Sequence, residues 1–283
     1  MSLIQTFPSG KGGGSSELSN DVVAAIDIGG IDAGTEYTVG TSIETIITDL
    51  ISPTLYPTYT APSASLSYSV TSPVKVGSTI EAKTATVSYN AGAITVNGTK
   101  QDNRGGAATN YAIATSGADT DFSDSNASSG SFNVSALTRS TKGSITITGT
   151  VSYAAGPQPK DSKGNNYGDP LASGSVTAST TVSFIQPYYY GKTAGTSISD
   201  FTGLTEDVKN KGNKTYKFTT NNEHMVIAYD KAHGNLTSII DPNGFEVISG
   251  WTKSELTVGG FDYYVWIADS ATTDTNASFT FKY

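Results

Sequence analysis

The side chains of this 283-residue chain with types suited to chemistry are two histidines, two clusters of acids with amides, and a set of aromatic rings. His224 and His233 flank one apolar run, Met225-Val226-Ile227-Ala228-Tyr229. A Ser–His–acid triad needs a nucleophile beside its histidine. No Gly-x-Ser-x-Gly elbow precedes a helical pattern, and there is no His-Glu-x-x-His. Cysteine is absent, which removes thiol nucleophiles, disulfides and thiolate metal sites together. Asp119, Asp121 and Asp124 lie beside Asn126, but the glycine and terminal glutamate of an EF-hand loop are missing. Asp161, Asn165, Asn166 and Asp169 form a second cluster of the same kind. Ser/Asp-rich turns share this composition without a metal. The sequence therefore assigns no catalytic residue, no metal site and no cofactor, and the chain is read as a non-enzyme.

The rings offer binding rather than catalysis. Tyr188, Tyr189, Tyr190, Trp251, Tyr263, Tyr264 and Trp266 all fall in the last third of the chain. Exposed rings on β-sheets can stack on sugars. Tyr264 and Trp266 alternate with Val265 and Ile267, which places one face of that strand in a core. Tyr189, Trp251 and Tyr263 are the candidates for contact with a glycan.

The elements that must position these residues are strands. Thr (40) and Ser (36) dominate the polar residues, Gly adds 30 and Tyr 16, while charged residues make up only 15 %. Thr and Tyr suit a pleated, half-buried surface, and Gly supplies turn geometry. The pattern predicts an all-β protein in four parts. Residues 1–20 form a flexible arm, with Leu3, Ile4 and Phe7 ahead of a Gly/Ser leash. Those three residues are candidates for docking on a partner. Residues 21–62 form a small segment with short strands, one short helix and a Pro-rich linker. In it, Ile43, Ile46, Ile47, Leu50 and Ile51 fall at helical spacing. Thr41 and Glu44 have the spacing of a capping box, and Pro53 stops the run. So short a segment has too little chain to cover five aliphatics, so the stripe is expected to mediate oligomerisation. Residues 63–187 alternate apolar and polar residues between turn signals, as an immunoglobulin-like β-sandwich does, although the Cys–Trp–Cys core of true immunoglobulin domains is absent. Residues 188–283 form a second β unit, with an apolar run at 225–229 suited to a central strand and a short helix expected near 203–208.

Net charge is −8, with −6 in residues 1–62, +1 in 63–187 and −3 in 188–283. This balance disfavours nucleic acid. No apolar stretch reaches the roughly 18 residues of a spanning helix, so membrane insertion is not expected. The first residues lack the basic and apolar regions of a secretion signal. Assembly in a host cytoplasm is expected.

The run Ile28-Gly29-Gly30-Ile31, Ala33-Gly34-Thr35 and Gly40-Thr41-Ser42-Ile43-Glu44-Thr45-Ile46, ending at Pro53, resembles a module of tailed-bacteriophage virion proteins. So do Pro187-Tyr188-Tyr189-Tyr190-Gly191, Val226-Ile227-Ala228-Tyr229-Asp230, Gly234-Asn235-Leu236-Thr237-Ser238-Ile239 and Asp241-Pro242-Asn243-Gly244-Phe245. Together these regions span about half the chain. The resemblance implies a fibre or appendage protein of a virion, of the head-fibre type. Such a protein would be a homotrimer, held to a capsid or other virion protein by its N-terminal arm and able to meet a host-surface glycan. A carbohydrate-binding module, a capsid decoration protein and a baseplate protein are the alternatives. A glycan-degrading spike fits less well, because no β-helical repeat is visible.

Overall fold

The computed structural model describes residues 17–283. Strands hold 48 % of it and helices 6 %, so the protein is all-β. Among the described residues no helix is long and apolar enough to cross a membrane.

The chain divides into two compact units. The first combines residues 17–62 with two later excursions, 91–107 and 153–174. One excursion supplies a hairpin, Ala93–Val96 with Thr99–Asp102, and the strand Thr58–Thr60 adds to its edge. The Asn97-Gly98 turn joins the hairpin, with both residues at positive φ, as a tight two-residue turn requires. The other excursion is tied to the Pro-rich stretch: Leu55 N–H donates to Ser162 Oγ at 2.8 Å, and Ser162 N–H donates to the Leu55 carbonyl at 2.9 Å. Tyr56 packs on Tyr167, with ring centroids 4.7 Å apart.

The second unit holds residues 63–90, 108–152 and 175–283. Its first part has two larger sheets and a two-stranded one, Thr79–Ile80 with Leu137–Thr138. Of the larger two, one orders Ser123–Asn126, Ala108–Ser116, Gly143–Tyr153, Gly174–Ile185 and Val74–Lys75; the other orders Ser131–Val134, Lys83–Asn90 and Ser63–Ser67. Alternate residues of both sheets meet in one core that includes Ala85, Val87, Ile113, Phe132, Ile145, Ile147 and Phe184. Alternation in the sequence is therefore read out as one buried and one solvated face.

The second part is built on a five-stranded sheet in the order Thr205–Asp207, Tyr188–Thr193, His224–Asp230, Phe261–Ala268, Trp251–Val258. The run 224–230 is central, as its unbroken apolarity requires, and Met225 through Asp230 are all buried. One face carries Tyr188, Ile227, Tyr229 and Trp266 against Tyr216, Phe218, Ile239 and Phe281, all four from the three-stranded sheet Lys214–Phe218, Ala277–Lys282, Ser238–Ile240. The other face carries Tyr189, Val226, Tyr263 and Val265, packed by Phe201, Leu204 and Leu256. The helix expected near 203–208 is a strand instead: Thr205–Asp207 pairs antiparallel with Tyr188–Tyr190 and completes the sheet edge.

Candidate assembly surface

The candidate surface starts with one helix. Residues Ile43–Ile51 are helical, and the cap is Ser42 rather than Thr41: Ser42 Oγ accepts the Thr45 N–H at 3.0 Å. Thr41 is tied up elsewhere. Its N–H goes to the Thr38 carbonyl and its own carbonyl accepts from Leu18. Glu44 lies in the first turn, where the helix dipole favours a carboxylate.

The glycine pair sets the helix on its base. Ile28 and Ile31 exchange backbone hydrogen bonds of 2.9 and 3.0 Å around Gly29-Gly30, and Gly30 N–H donates to the Leu50 carbonyl at 3.2 Å. A Cβ on Gly29 would sit 2.0 Å from that carbonyl oxygen, and one on Gly30 would sit 2.0 Å from the Asp49 carbonyl oxygen. Gly29 also has φ +58°, so no other residue fits well. Tyr37 closes the arrangement. Its hydroxyl donates to Asp49 Oδ2 at 3.1 Å, and Lys163 Nζ reaches Asp49 Oδ1 at 3.1 Å. Burial, then the hydrogen bond and charge of Asp49, raise the Tyr37 hydroxyl above its usual pKa.

This small fold covers little. Ile31 and Tyr37 are its buried hydrophobics, and no residue of the helix is buried. Ile43 and Ile46 are half-buried, while Ile47 (50 %), Leu50 and Ile51 (71 %) are exposed. Val22, Val23, Ile26, Ile28 and Val39 are exposed as well. Thus eight of the twelve exposed large hydrophobics among the described residues come from residues 22–51. The sequence pattern singled out only the helical stripe. The additional five were readable as strand interior, and the signal against that reading was the scarcity of chain to cover them. Residues 17–62 also carry seven acids and no Lys or Arg, so this apolar surface lies in a segment of one charge. The arm residues Leu3, Ile4 and Phe7 lie outside the described residues.

The three rings expected to meet a glycan are buried, and the expectation of open ring faces is corrected. Tyr189 is stacked by Phe201 at 4.1 Å between centroids, with the Lys75 ammonium 5.9 Å from its ring centre. Tyr263 donates its hydroxyl to Gln186 Oε1 at 2.6 Å, and burial pushes its pKa up. Trp251 packs edge-on against Phe279 and Phe281. Covered in this way, Tyr189 and Tyr263 have no face for a sugar to stack on.

His224 and the acid clusters have local work. His224 Nδ1 lies 2.7 Å from the Ala268 carbonyl oxygen. Asp119 accepts from Ser140, Asp121 from the Ala118 N–H, and Asp161 from the Lys163 and Asn165 N–H groups. Among the described residues no three His, Cys, Asp or Glu side chains are grouped to hold a metal. No family model, curated protein or solved structure matches the chain.

Proposed function

We propose that this protein is a non-enzymatic structural component of a tailed-phage virion, a fibre of the head-fibre type. Its copies associate as a homotrimer through the helix Ile43–Ile51 and the aliphatics beside it. The arm residues Leu3, Ile4 and Phe7 hold it to a capsid or other virion protein, and its C-terminal part contacts a host-surface glycan. The observation that carries the reading is the concentration of exposed aliphatics in residues 22–51, on a helix with none of its own residues buried. Fully burying such side chains is worth about 1.5–3 kcal/mol each before association costs, so a symmetric assembly has ample driving force. A second copy is the most economical cover, because it brings the same surface.

The immunoglobulin-like reading of the first part of the second unit is supported by its strand order. Its first, second and fifth long strands, Ser63–Ser67, Lys83–Asn90 and Ser131–Val134, share one sheet. The other sheet ends with Val74–Lys75 running parallel to Gly174–Ile185, so the first strand's continuation changes sheets.

The test is incorporation. Phage carrying the full chain should contain it in purified particles at a fixed copy number. Phage whose chain lacks residues 1–20 should assemble without it, while the truncated protein accumulates as a soluble oligomer. Truncated chain in purified particles at the full-length copy number would contradict the anchoring role.

A further inference from the structure

The second unit holds a pocket of about 430 Å³, which Trp251 alone of the three candidate rings lines. Its inner wall is apolar, with Met225, Trp251 and Phe279. Its rim is polar, with Asp241, Asn243 and Asp274. The volume is within the range of about 300–1,000 Å³ usual for small-molecule sites. Both rim loops are fixed before any ligand arrives. Asp241 Oδ1 accepts the N–H groups of Asn243 and Phe245 at 2.9 and 2.8 Å. Asp274 and Thr220 exchange backbone hydrogen bonds of 3.0 and 3.2 Å, and Thr272 and Glu223 do the same at 2.9 and 3.2 Å.

Three observations identify the ligand chemistry. No Lys, Arg or His lines the pocket, while two carboxylates do, so an anionic ligand is repelled. The Asp274 carboxylate forms no ion pair or hydrogen bond among the described residues, and it is therefore open to accept from a hydroxyl donor. Trp251 lines the pocket and its indole N–H, which makes no hydrogen bond among the described residues, is open to an acceptor on a ligand; the N–H of Trp266, by contrast, goes to Tyr229 Oη at 3.1 Å. A compact molecule with an apolar face and several hydroxyls satisfies all three conditions. Two residues beyond Asn243, Phe245 is 67 % exposed, the most exposed aromatic among the described residues. Its open face suits the next ring of a longer chain.

We propose that this pocket binds a neutral sugar residue of a glycan, with Asp274 and Asn243 as hydrogen-bonding groups, Trp251 as the floor and Phe245 as a stacking platform for the adjoining residue. The inference rests on the glycan-contact part of the function proposed above and is independent of its virion part.

The chain has two tryptophans, so in the full-length Trp266→Phe variant the fluorescence reports Trp251 alone. That protein should be titrated with glucose, galactose, rhamnose, N-acetylglucosamine and N-acetylgalactosamine, and with N-acetylneuraminic acid and ethanolamine as charged controls. At least one neutral sugar should give a saturable change with millimolar affinity, and neither control should. Asp274→Asn with Asn243→Ala should weaken binding at least about tenfold, with the melting temperature kept. Phe245→Ala should leave the monosaccharide affinity unchanged and weaken a matching disaccharide or trisaccharide. Neutral-sugar binding, followed by calorimetry, that persists unchanged in the double variant would overturn the pocket while leaving a glycan site elsewhere on the chain. Equal binding of either charged control, or no saturable response to any neutral sugar, would overturn the ligand assignment.

Discussion

Val22-Val23 and Val226-Ile227 are near-identical pairs of β-branched residues in strands, yet the first pair is half exposed and the second is fully buried. Propensity does not separate them; layers do. The strand His224–Asp230 has paired neighbours on both edges and packed side chains on both faces. Among the described residues the strand Val22–Val23 pairs only with Glu36–Tyr37, and its segment is organised around a glycine turn, a capped helix and a tyrosine–carboxylate contact. The C-terminal part is complete as a single copy. The N-terminal segment is uncovered by the described residues, the condition expected of a surface that a symmetric partner finishes.

The sharpest way to break this contrast is to make one chemical change in both regions. Ile227→Ala should cost about 2–5 kcal/mol of stability, read by denaturant unfolding, because the buried site cannot collapse around the loss. Ile26→Ala, at a residue 60 % exposed, should change the stability of the isolated protomer by no more than about 0.5 kcal/mol while weakening self-association. Equal destabilisation by both would mean that Ile26 is covered within its own chain.

A smaller effect tests whether the segment's own order comes from local chemistry. Ser42→Ala removes the cap on the Thr45 N–H and should destabilise the helix by about 0.5–2 kcal/mol. Hydrogen exchange should then speed up in residues 43–51 and not in 224–230.

A smaller effect again sharpens the account of the C-terminal part. His233 lies among Tyr188, Tyr229 and Tyr283, with centroids 5.3, 6.2 and 6.0 Å away, and its Nδ1 has no partner. Burial lowers its pKa below 6.5; Lys211, Lys214 and Lys142 add to this and Asp230 opposes it. The unfolded chain therefore takes up a proton before the native state does. The stability contributed by the neutral ring is complete above the unfolded value and is lost as pH falls through the folded one. The melting temperature should drop as pH falls below about 6.5, and His233→Phe should flatten that drop. An unchanged slope in the variant would assign the acid sensitivity to other groups.

How much of this was legible follows from the range of the interactions. The helix was readable because its apolar spacing and its stop at Pro53 are local. Its cap was displaced by one residue because adjacent Thr41 and Ser42 both carry hydroxyls, and the choice is made by the backbone of Thr41, which accepts from the Leu18 N–H and donates to the Thr38 carbonyl. The central strand was readable from an unbroken apolar run, the mark of a strand covered on both faces. Burial of Tyr189, Trp251 and Tyr263 was not, because Phe201, Phe279 with Phe281, and Gln186 close over them from distant positions. The pocket was hidden for the same reason. Its two rim loops are separated by a hairpin, and no local pattern pairs Asp241 with Asp274.

Self-association through the helix face is the central claim, and light scattering of the full-length chain measures it directly. The deciding variant is Ile47→Glu with Ile51→Lys. It removes the two most exposed aliphatics of the helix and replaces them with an i, i+4 acid–base pair that supports the helix, with the base in the last turn. The native chain should have the mass of a trimer, and the variant should have the mass of a single chain with the same strand content and the same unfolding midpoint for the β sheets. A native chain that is monomeric at tens of micromolar, or a variant that keeps the native mass, would contradict the account.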